Sequence, residues 1–304
     1  MDLTSLLQSS LLLKNWRNIL IALTIATLGN LVLHWATVYS NNKKSNKNQL
    51  DGEEYVGVKF ASPIQDKNCN DRRDGESNEC YMPALKIDNH IPFHGATETL
   101  PGGAKEFYKI TNNRRSVRSY RSEPIPPLEV ISNCILAAGT APSGAHTEPW
   151  TFCVVSDIAI KKRIREIIET EEELNYAQRM HRQWTADLRP LRTNHIKPYL
   201  TDAPYLILVF KQVYGSLADG SRKQHYYNEI SVSIAIGILL CALQAAGLSS
   251  LVTTPLNCGH TIRLLLHRPE NEKLLVLLPV GYAAEDCEVP NLQRKKLEDI
   301  MHLY

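Results

Sequence analysis

No CxxC pair, and no Cys/His spacing of the kind that holds zinc, occurs in the 304-residue chain, so nothing in it points to a metal centre. No G-x-G-x-x-G stretch follows a strand-like run, which removes the fingerprint by which a βαβ unit takes up a dinucleotide. Charge of one sign is also lacking. The balance is 34 basic against 32 acidic residues, a net +2, whereas a nucleic-acid reader carries a basic stripe. No repeat of fixed period is visible, which excludes solenoids and propellers. Cysteine is scarce and odd in number, seven in all, so at least one thiol is free unless two chains pair. Cys134, Cys153 and Cys241 lie in apolar stretches, where a thiol acts as a small hydrophobe and suits a reducing compartment. Cys69 and Cys80 lie in a polar segment and could pair only in an oxidising one.

What is present begins with one long apolar run, Ile19–Tyr39, matching the roughly 20 residues that cross a bilayer core. Trp16, Trp35 and Tyr39 stand near its ends, where interfacial aromatics belong. A cleaved signal peptide is the other reading, but the run is long for one and no clean small-x-small site follows. Lys14 and Arg17 precede the run and Lys43, Lys44 and Lys47 follow it, a bias that places the remainder on the cytoplasmic side. Residues 40–84 are rich in Asn, Lys, Asp, Glu and Ser and cannot bury enough apolar area to offset their ordering entropy. The expected organisation is a short tail (1–18), a transmembrane anchor (19–39), a polar disordered tether (40–84) and one folded domain (85–304).

That domain mixes periods. Pro126–Ala138 has helical spacing and ends at Gly139, a candidate C-cap. Ile158–Glu173 reads as a charged amphipathic helix, and Thr151–Ser156, Tyr205–Lys211, Leu251–Thr254 and Leu274–Gly281 read as short strands. Tyr227–Ala246 is apolar on most faces but interrupted by Asn228, Glu229, Ser231, Ser233 and Gln244, the pattern of a core or subunit-interface helix. The pattern is that of an α+β domain, a central sheet flanked by helices.

Three short segments carry candidate chemistry. Arg114-Arg115-Ser116-Val117-Arg118 supplies clustered guanidiniums, which neutralise phosphate through bidentate bonds. Alone it reads first as a solvated basic patch. Pro142-Ser143-Gly144-Ala145 is a small-residue turn whose backbone N–H groups can approach a flat ring or an oxyanion. Thr253-Thr254-Pro255 places hydroxyls at a strand end, which by itself needs no function. Glu172 and Tyr176 are four apart and share a helix face, and Lys197 follows. Carboxylate, phenol and ammonium are the set that grips a zwitterionic amino acid, although Glu169–Glu173 alone reads as a solvated acidic face. His146, a lone histidine before a tryptophan, reads as a structural hydrogen-bonder.

Taken together, these segments resemble the membrane-anchored deiodinases of the nitroreductase-like flavoprotein family, over roughly residues 85–304. The resemblance implies a nitroreductase-like fold, an obligate homodimer and non-covalently bound FMN buried between subunits. It implies reductive dehalogenation of 3-halotyrosines, mono- and di-iodotyrosine giving tyrosine and iodide. NADPH is the implied ultimate donor, acting through a separate flavin reductase. Cofactor contacts are implied for Arg114, Arg115, Ser116, Val117 and Arg118, for Ser143 and Gly144, for Val252, Thr253 and Thr254, and for Arg294. Thr254 is implied as the catalytic contact that favours one-electron steps, and the Ala145 backbone as the catalytic group meeting the substrate phenolate. Glu172 is implied to take the substrate ammonium, Lys197 its carboxylate and Tyr176 the same end, on a segment closing as a lid. His195, where the family usually has an aromatic, and Pro198 depart from the pattern. Plasma membrane or an intracellular vesicle membrane is the implied location. A nitro- or quinone reductase on the same fold, and a membrane-tethered binding protein without turnover, remain open alternatives.

Overall fold

Tyr205–Phe210 is apolar at every position, the pattern of a strand covered on both faces. It forms the centre of the fold in the computed structural model of the protein, which describes residues 90–95, 98–217 and 220–304. The anchor expected at 19–39, the tether at 40–84 and the Cys69–Cys80 pair lie outside the described residues. All described residues belong to one compact unit, Tyr81–Tyr304.

In chain order the helices are α1 (Gly103–Asn112), α2 (Leu128–Gly139), α3 (Ile158–Leu174), α4 (Arg182–Leu188), α5 (Tyr199–Asp202), α6 (Asn228–Ala245) and α7 (Gly259–Leu265). The strands are β1 (Trp150–Val155), β2 (Tyr205–Gln212), β3 (Tyr214–Ser216), β4 (Arg222–Gln224), β5 (Ser249–Ser250) and β6 (Glu272–Gly281). Four strands form an antiparallel sheet in the order β1-β2-β6-β5, and β3 and β4 make a separate hairpin. Because side chains alternate across a strand, β2 feeds two cores. Leu206, Leu208 and Phe210 pack with Ile164 and Ile168 of α3, Tyr199 and Leu200 of α5, and Ile262 of α7. Tyr205, Ile207 and Val209 pack on the other face with Ile131 and Cys134 of α2 and with Val232, Leu239 and Leu243 of α6. The sheet is thus flanked by helices on both sides, as expected for the α+β class.

Asn228–Ala245 is the one described helix long and apolar enough to cross a bilayer. It buries Val232, Ala235, Ile236, Leu239 and Leu243 against the sheet while leaving Ile230 and Ile234 exposed. It is a core helix with a second apolar face.

Two local expectations are corrected. Gly139 is the last residue of α2 rather than its cap. Thr140 closes the helix with an ordinary negative φ, its hydroxyl donating to Ala137 O at 2.8 Å. Leu251–Thr254 is not a strand: β5 ends at Ser250, and Thr253 makes an isolated bridge to Leu277. β-branched residues there reflect a turn held at the sheet edge. The charged α3 hides one lysine. Lys161 is buried and donates to Ala203 O at 2.8 Å, with Thr201 O at 3.3 Å and Pro204 O at 3.4 Å, so it closes the open end of the four-residue α5. Burial pulls its pKa below the ordinary lysine value, against the opposing pull of Asp202 and Asp157.

Leu208 is fully buried at the centre of β2. Leu208→Ala is expected to lower unfolding free energy by about 2–5 kcal/mol in urea titrations, with an unchanged slope; a loss below about 1 kcal/mol contradicts this packing.

Candidate active site

The arginine motif is held by the sheet edge. Ser116 bridges Ser250 in parallel, and the Val117 N–H donates to Ser250 O at 3.2 Å. Val117 itself turns into the core, leaving the flanking arginines outward. The buried Tyr120 hydroxyl lies 2.9 Å from Val117 O and 3.1 Å from Pro279 O, tying the motif to β6. Burial raises the Tyr120 pKa far above the ordinary phenol value; Tyr199 and Cys287 add to this and Arg118 opposes it.

This segment forms one wall of a cavity of about 950 Å³, lined by Arg114, Arg115, Ser116 and Arg118 and, from the C-terminal segment, by Arg294 and Lys295. Arg294 Nε donates to Asn112 Oδ1 at 3.1 Å and its Nη2 to Arg114 O at 3.2 Å. Arg115 Nη2 donates to Pro290 O. Guanidiniums nearly 180 positions apart in sequence are thereby converged, and among the described residues no carboxylate lines the cavity. This donor set fits a phosphate-bearing cofactor.

Thr253 lies beside this segment on the same edge. Its N–H donates to Leu277 O at 3.0 Å and its O accepts from Leu277 N at 2.9 Å. Val252 and Thr254 are exposed on either side. Ser143–Ala145 are not part of the cavity lining. Gly144 packs on Tyr226, whose O would lie 2.9 Å from an added Cβ, so glycine is required there. Ala145 and His146 adopt φ of 50° and 51°, left-handed conformations that non-glycine residues hold only under local constraint. The turn is closed by His146 N to Ser143 O at 3.0 Å and by Glu148 N to Ser143 Oγ at 3.0 Å. Ala145 itself is exposed. His146 is exposed, 4.0 Å from Glu148, rather than a buried structural partner.

The three clamp residues come together at the end of α3. The helix widens into a π-turn over Asn175–Arg179, a feature frequent at functional sites. Lys197 Nζ lies 3.5 Å from Glu172 Oε2 and 5.5 Å from the centre of the Tyr176 ring. Glu172 and Lys197 are only 8% and 6% exposed, so this acidic position is no solvated face. Asn175 Nδ2 donates to Glu172 Oε1 at 3.3 Å, and Lys197 Nζ also reaches Thr193 Oγ1 at 3.4 Å and Asn194 O. Burial lowers the Lys197 pKa; Glu172 pulls it back, and Arg118 adds to the lowering. Burial likewise raises the Tyr176 pKa, with a hydrogen bond from Thr193 opposing. Arg118 therefore stands within electrostatic reach of the clamp while lining the cavity.

Sequence reasoning missed Asn112, Lys295, Pro290, Tyr199 and Tyr226. Only Lys295, in the basic run with Arg294, gave any local signal; the others are placed by tertiary contact.

Residues 111–282 match the Nitroreductase family, a stretch spanning the arginine motif, both turns and the clamp. The chain is 52% identical over 302 residues, 99% of each chain, to an iodotyrosine deiodinase of Drosophila melanogaster. It is 59% identical over 248 residues, 79% of this chain and 86% of the other, to iodotyrosine deiodinase 1 of Homo sapiens. The crystal structure of an oxidised iodotyrosine deiodinase bound to FMN and 3-iodo-L-tyrosine matches at a TM-score of 0.54 and 32% identity, over 65% of this chain and 98% of that one. The chain belongs to the nitroreductase family and, within it, to the iodotyrosine deiodinases.

Tyr120 offers a direct check on how the arginine motif is held. Its folded-state pKa is raised, so its stabilisation is complete below about pH 10, the unfolded value, and is lost as pH rises beyond it. Tyr120→Phe is expected to cost about 1 kcal/mol at pH 7, a deficit that shrinks above about pH 10 in urea titrations. A deficit that stays constant across that range contradicts the assignment.

Proposed function

We propose that the protein is an FMN-dependent reductive dehalogenase that converts mono- and di-iodotyrosine to tyrosine and iodide. The observation that carries this reading is the buried Glu172–Lys197–Tyr176 cluster beside the arginine-lined cavity. A plain nitroaromatic or quinone has no zwitterion and gives no use to a buried carboxylate–ammonium pair.

In this reading Arg114, Arg115, Arg118 and Arg294 hold the FMN phosphate, and Ser143, Gly144 and the Val252–Thr254 turn border its ring. When bound and reduced, FMN supplies the electrons that carbon–iodine cleavage consumes. The chain's own residues select and hold the substrate. Lys197 takes the carboxylate and Glu172 the ammonium, each exchanging its present partner for the ligand. Tyr176 borders the same end. The Ala145 N–H donates to the phenolate oxygen and so favours the ionised ring. Closure of the α3–α5 segment excludes water around the bound ring. The Thr254 hydroxyl faces the cofactor ring and favours one-electron steps.

The Ser143–Ala145 turn is not part of the arginine cavity's lining, which supports a homodimer in which the two half-sites of different subunits meet. Apolar Ile230 and Ile234 on the outer face of α6 are consistent with such a contact. We further infer an anchor at residues 19–39, in the plasma membrane or an intracellular vesicle membrane, with the catalytic domain on the cytoplasmic side. NADPH, through a separate flavin reductase, is the electron source.

The test is iodide release from 3-iodotyrosine by the chemically reduced full-length protein. Lys197→Gln is expected to weaken 3-iodotyrosine binding roughly 10- to 100-fold, the worth of a charge-assisted hydrogen bond, while FMN stays bound. Unchanged affinity removes the clamp. Rapid nitroaromatic reduction without iodide release instead supports a nitroreductase, and bound FMN without any turnover a binding protein.

A further inference from the structure

Charge on α3 is not confined to its exposed face. Lys161, Arg165, Glu169 and Glu172 are spaced four, four and three apart, so they form one stripe along the helix. Lys161 and Glu172 are buried and Arg165 and Glu169 half-buried, whereas Lys162, Arg163, Glu166 and Glu173 are exposed. The outer members of the stripe have roles already. Lys161 holds the far end of α5 through Ala203 O at 2.8 Å, and Glu172 faces the Lys197 ammonium. The middle pair grips the same loop. Glu169 Oε1 accepts from the Lys197 backbone N–H at 2.6 Å and from Arg165 Nε at 2.7 Å. Arg165 Nη1 in turn donates to Thr201 Oγ1 at 2.9 Å. Between these two points the turn closes on itself, the Leu200 N–H donating to Lys197 O at 3.1 Å.

The main chain and the ammonium of Lys197 therefore rest on different carboxylates. Glu172 engages the ammonium, the group that a ligand carboxylate takes over in the proposed function. Glu169 engages the backbone N–H, which the ligand leaves alone. Arg165 shares the Glu169 oxygen and neutralises it, so this carboxylate does not compete with Glu172 for the ammonium. We propose that Glu169 is a positioning residue for the clamp: by holding the Lys197 backbone on α3, it keeps the ammonium in place while Glu172 gives it up to a ligand. Without that anchor the loop spends part of its time away from the binding-competent position, and apparent affinity falls by that fraction. The consequence for halotyrosine rests on the dehalogenase reading above; the anchoring of the loop does not.

Two measurements separate them, made on the full-length protein with Glu169→Ala, Glu169→Asp and Glu169→Gln. Glu169→Asp keeps the charge but shortens the reach by one methylene, whereas Glu169→Gln keeps the length and an acceptor oxygen. The first measurement is amide hydrogen exchange on the protein as purified. Glu169→Ala and Glu169→Asp are each expected to speed exchange at Lys197, Leu200 and Thr201 roughly tenfold, the worth of a hydrogen bond to a charged group, with β2 unaffected. Glu169→Gln is expected to stay within about threefold of wild type. Exchange unchanged by Glu169→Asp, or speeded as much by Glu169→Gln, overturns the proposal. Should Glu169→Ala fail to fold, the other two variants decide the question. The second measurement is steady-state iodide release with FMN bound. Glu169→Asp is expected to raise KM for 3-iodotyrosine about tenfold, with kcat changed less than about threefold and FMN affinity unchanged. A wild-type KM, or a loss confined to kcat or to FMN affinity, overturns the positioning role. Exchange as expected, alongside a wild-type protein that releases no iodide, sinks the dehalogenase reading and leaves the Glu169 anchor supported.

Discussion

An edge strand leaves one row of backbone donors and acceptors unpaired, and this fold uses that row to hold its candidate chemistry. β5 is only two residues long. Its Ser250 accepts from Val117, and the next stretch of edge, on β6, pairs with Thr253. The arginine motif and the threonine turn are therefore placed by main-chain hydrogen bonds to the same sheet, not by their own side chains. This frees Arg114, Arg118, Val252 and Thr254 to face outward. The double-sided burial of β2 and β6 gives that edge its rigidity, since both core clusters brace the strands from opposite faces.

The clamp obeys a different constraint. Glu172 and Lys197 are charges taken out of water, tolerable because each has the other together with Asn175, Thr193 and the Asn194 carbonyl. A ligand with a single charge would separate them and strand one partner without compensation. Under the proposed function a zwitterion replaces both partners at once, so discrimination would arise from the cost of the wrong ligand as well as from contacts with the right one. Arg118 adds to this electrostatic balance, lining the cavity on one side and lowering the Lys197 pKa from the other.

Much of this was legible in the amino-acid pattern, for physical reasons that can be stated. The apolar run of β2 announced a strand, though not its burial on both faces, and the interruptions in α6 marked a core or subunit-interface helix. Arg114–Arg118 was visible as a cluster because its members are adjacent. Its convergence with Arg294 was legible only through resemblance, since a lone arginine before two lysines carries no local signal. Leu251–Thr254 looked like a strand because β-branched residues suit any extended backbone, whether it pairs along its length or at one point. Gly139 looked like a cap, but Thr140 can close α2 with its hydroxyl. Tyr199 and Tyr226 left no trace in the pattern, because their roles depend on what lies opposite them in the folded chain.

The central claim is that guanidiniums converging at the sheet edge select an anionic cofactor through its phosphate. Comparing the equilibrium affinity of the apoprotein for FMN and for riboflavin, which has the same ring without the phosphate, tests it most directly. A preference for FMN of about 100-fold or more, shrinking as salt is added, is the predicted result. Equal affinity for the two, or a preference indifferent to salt, contradicts it.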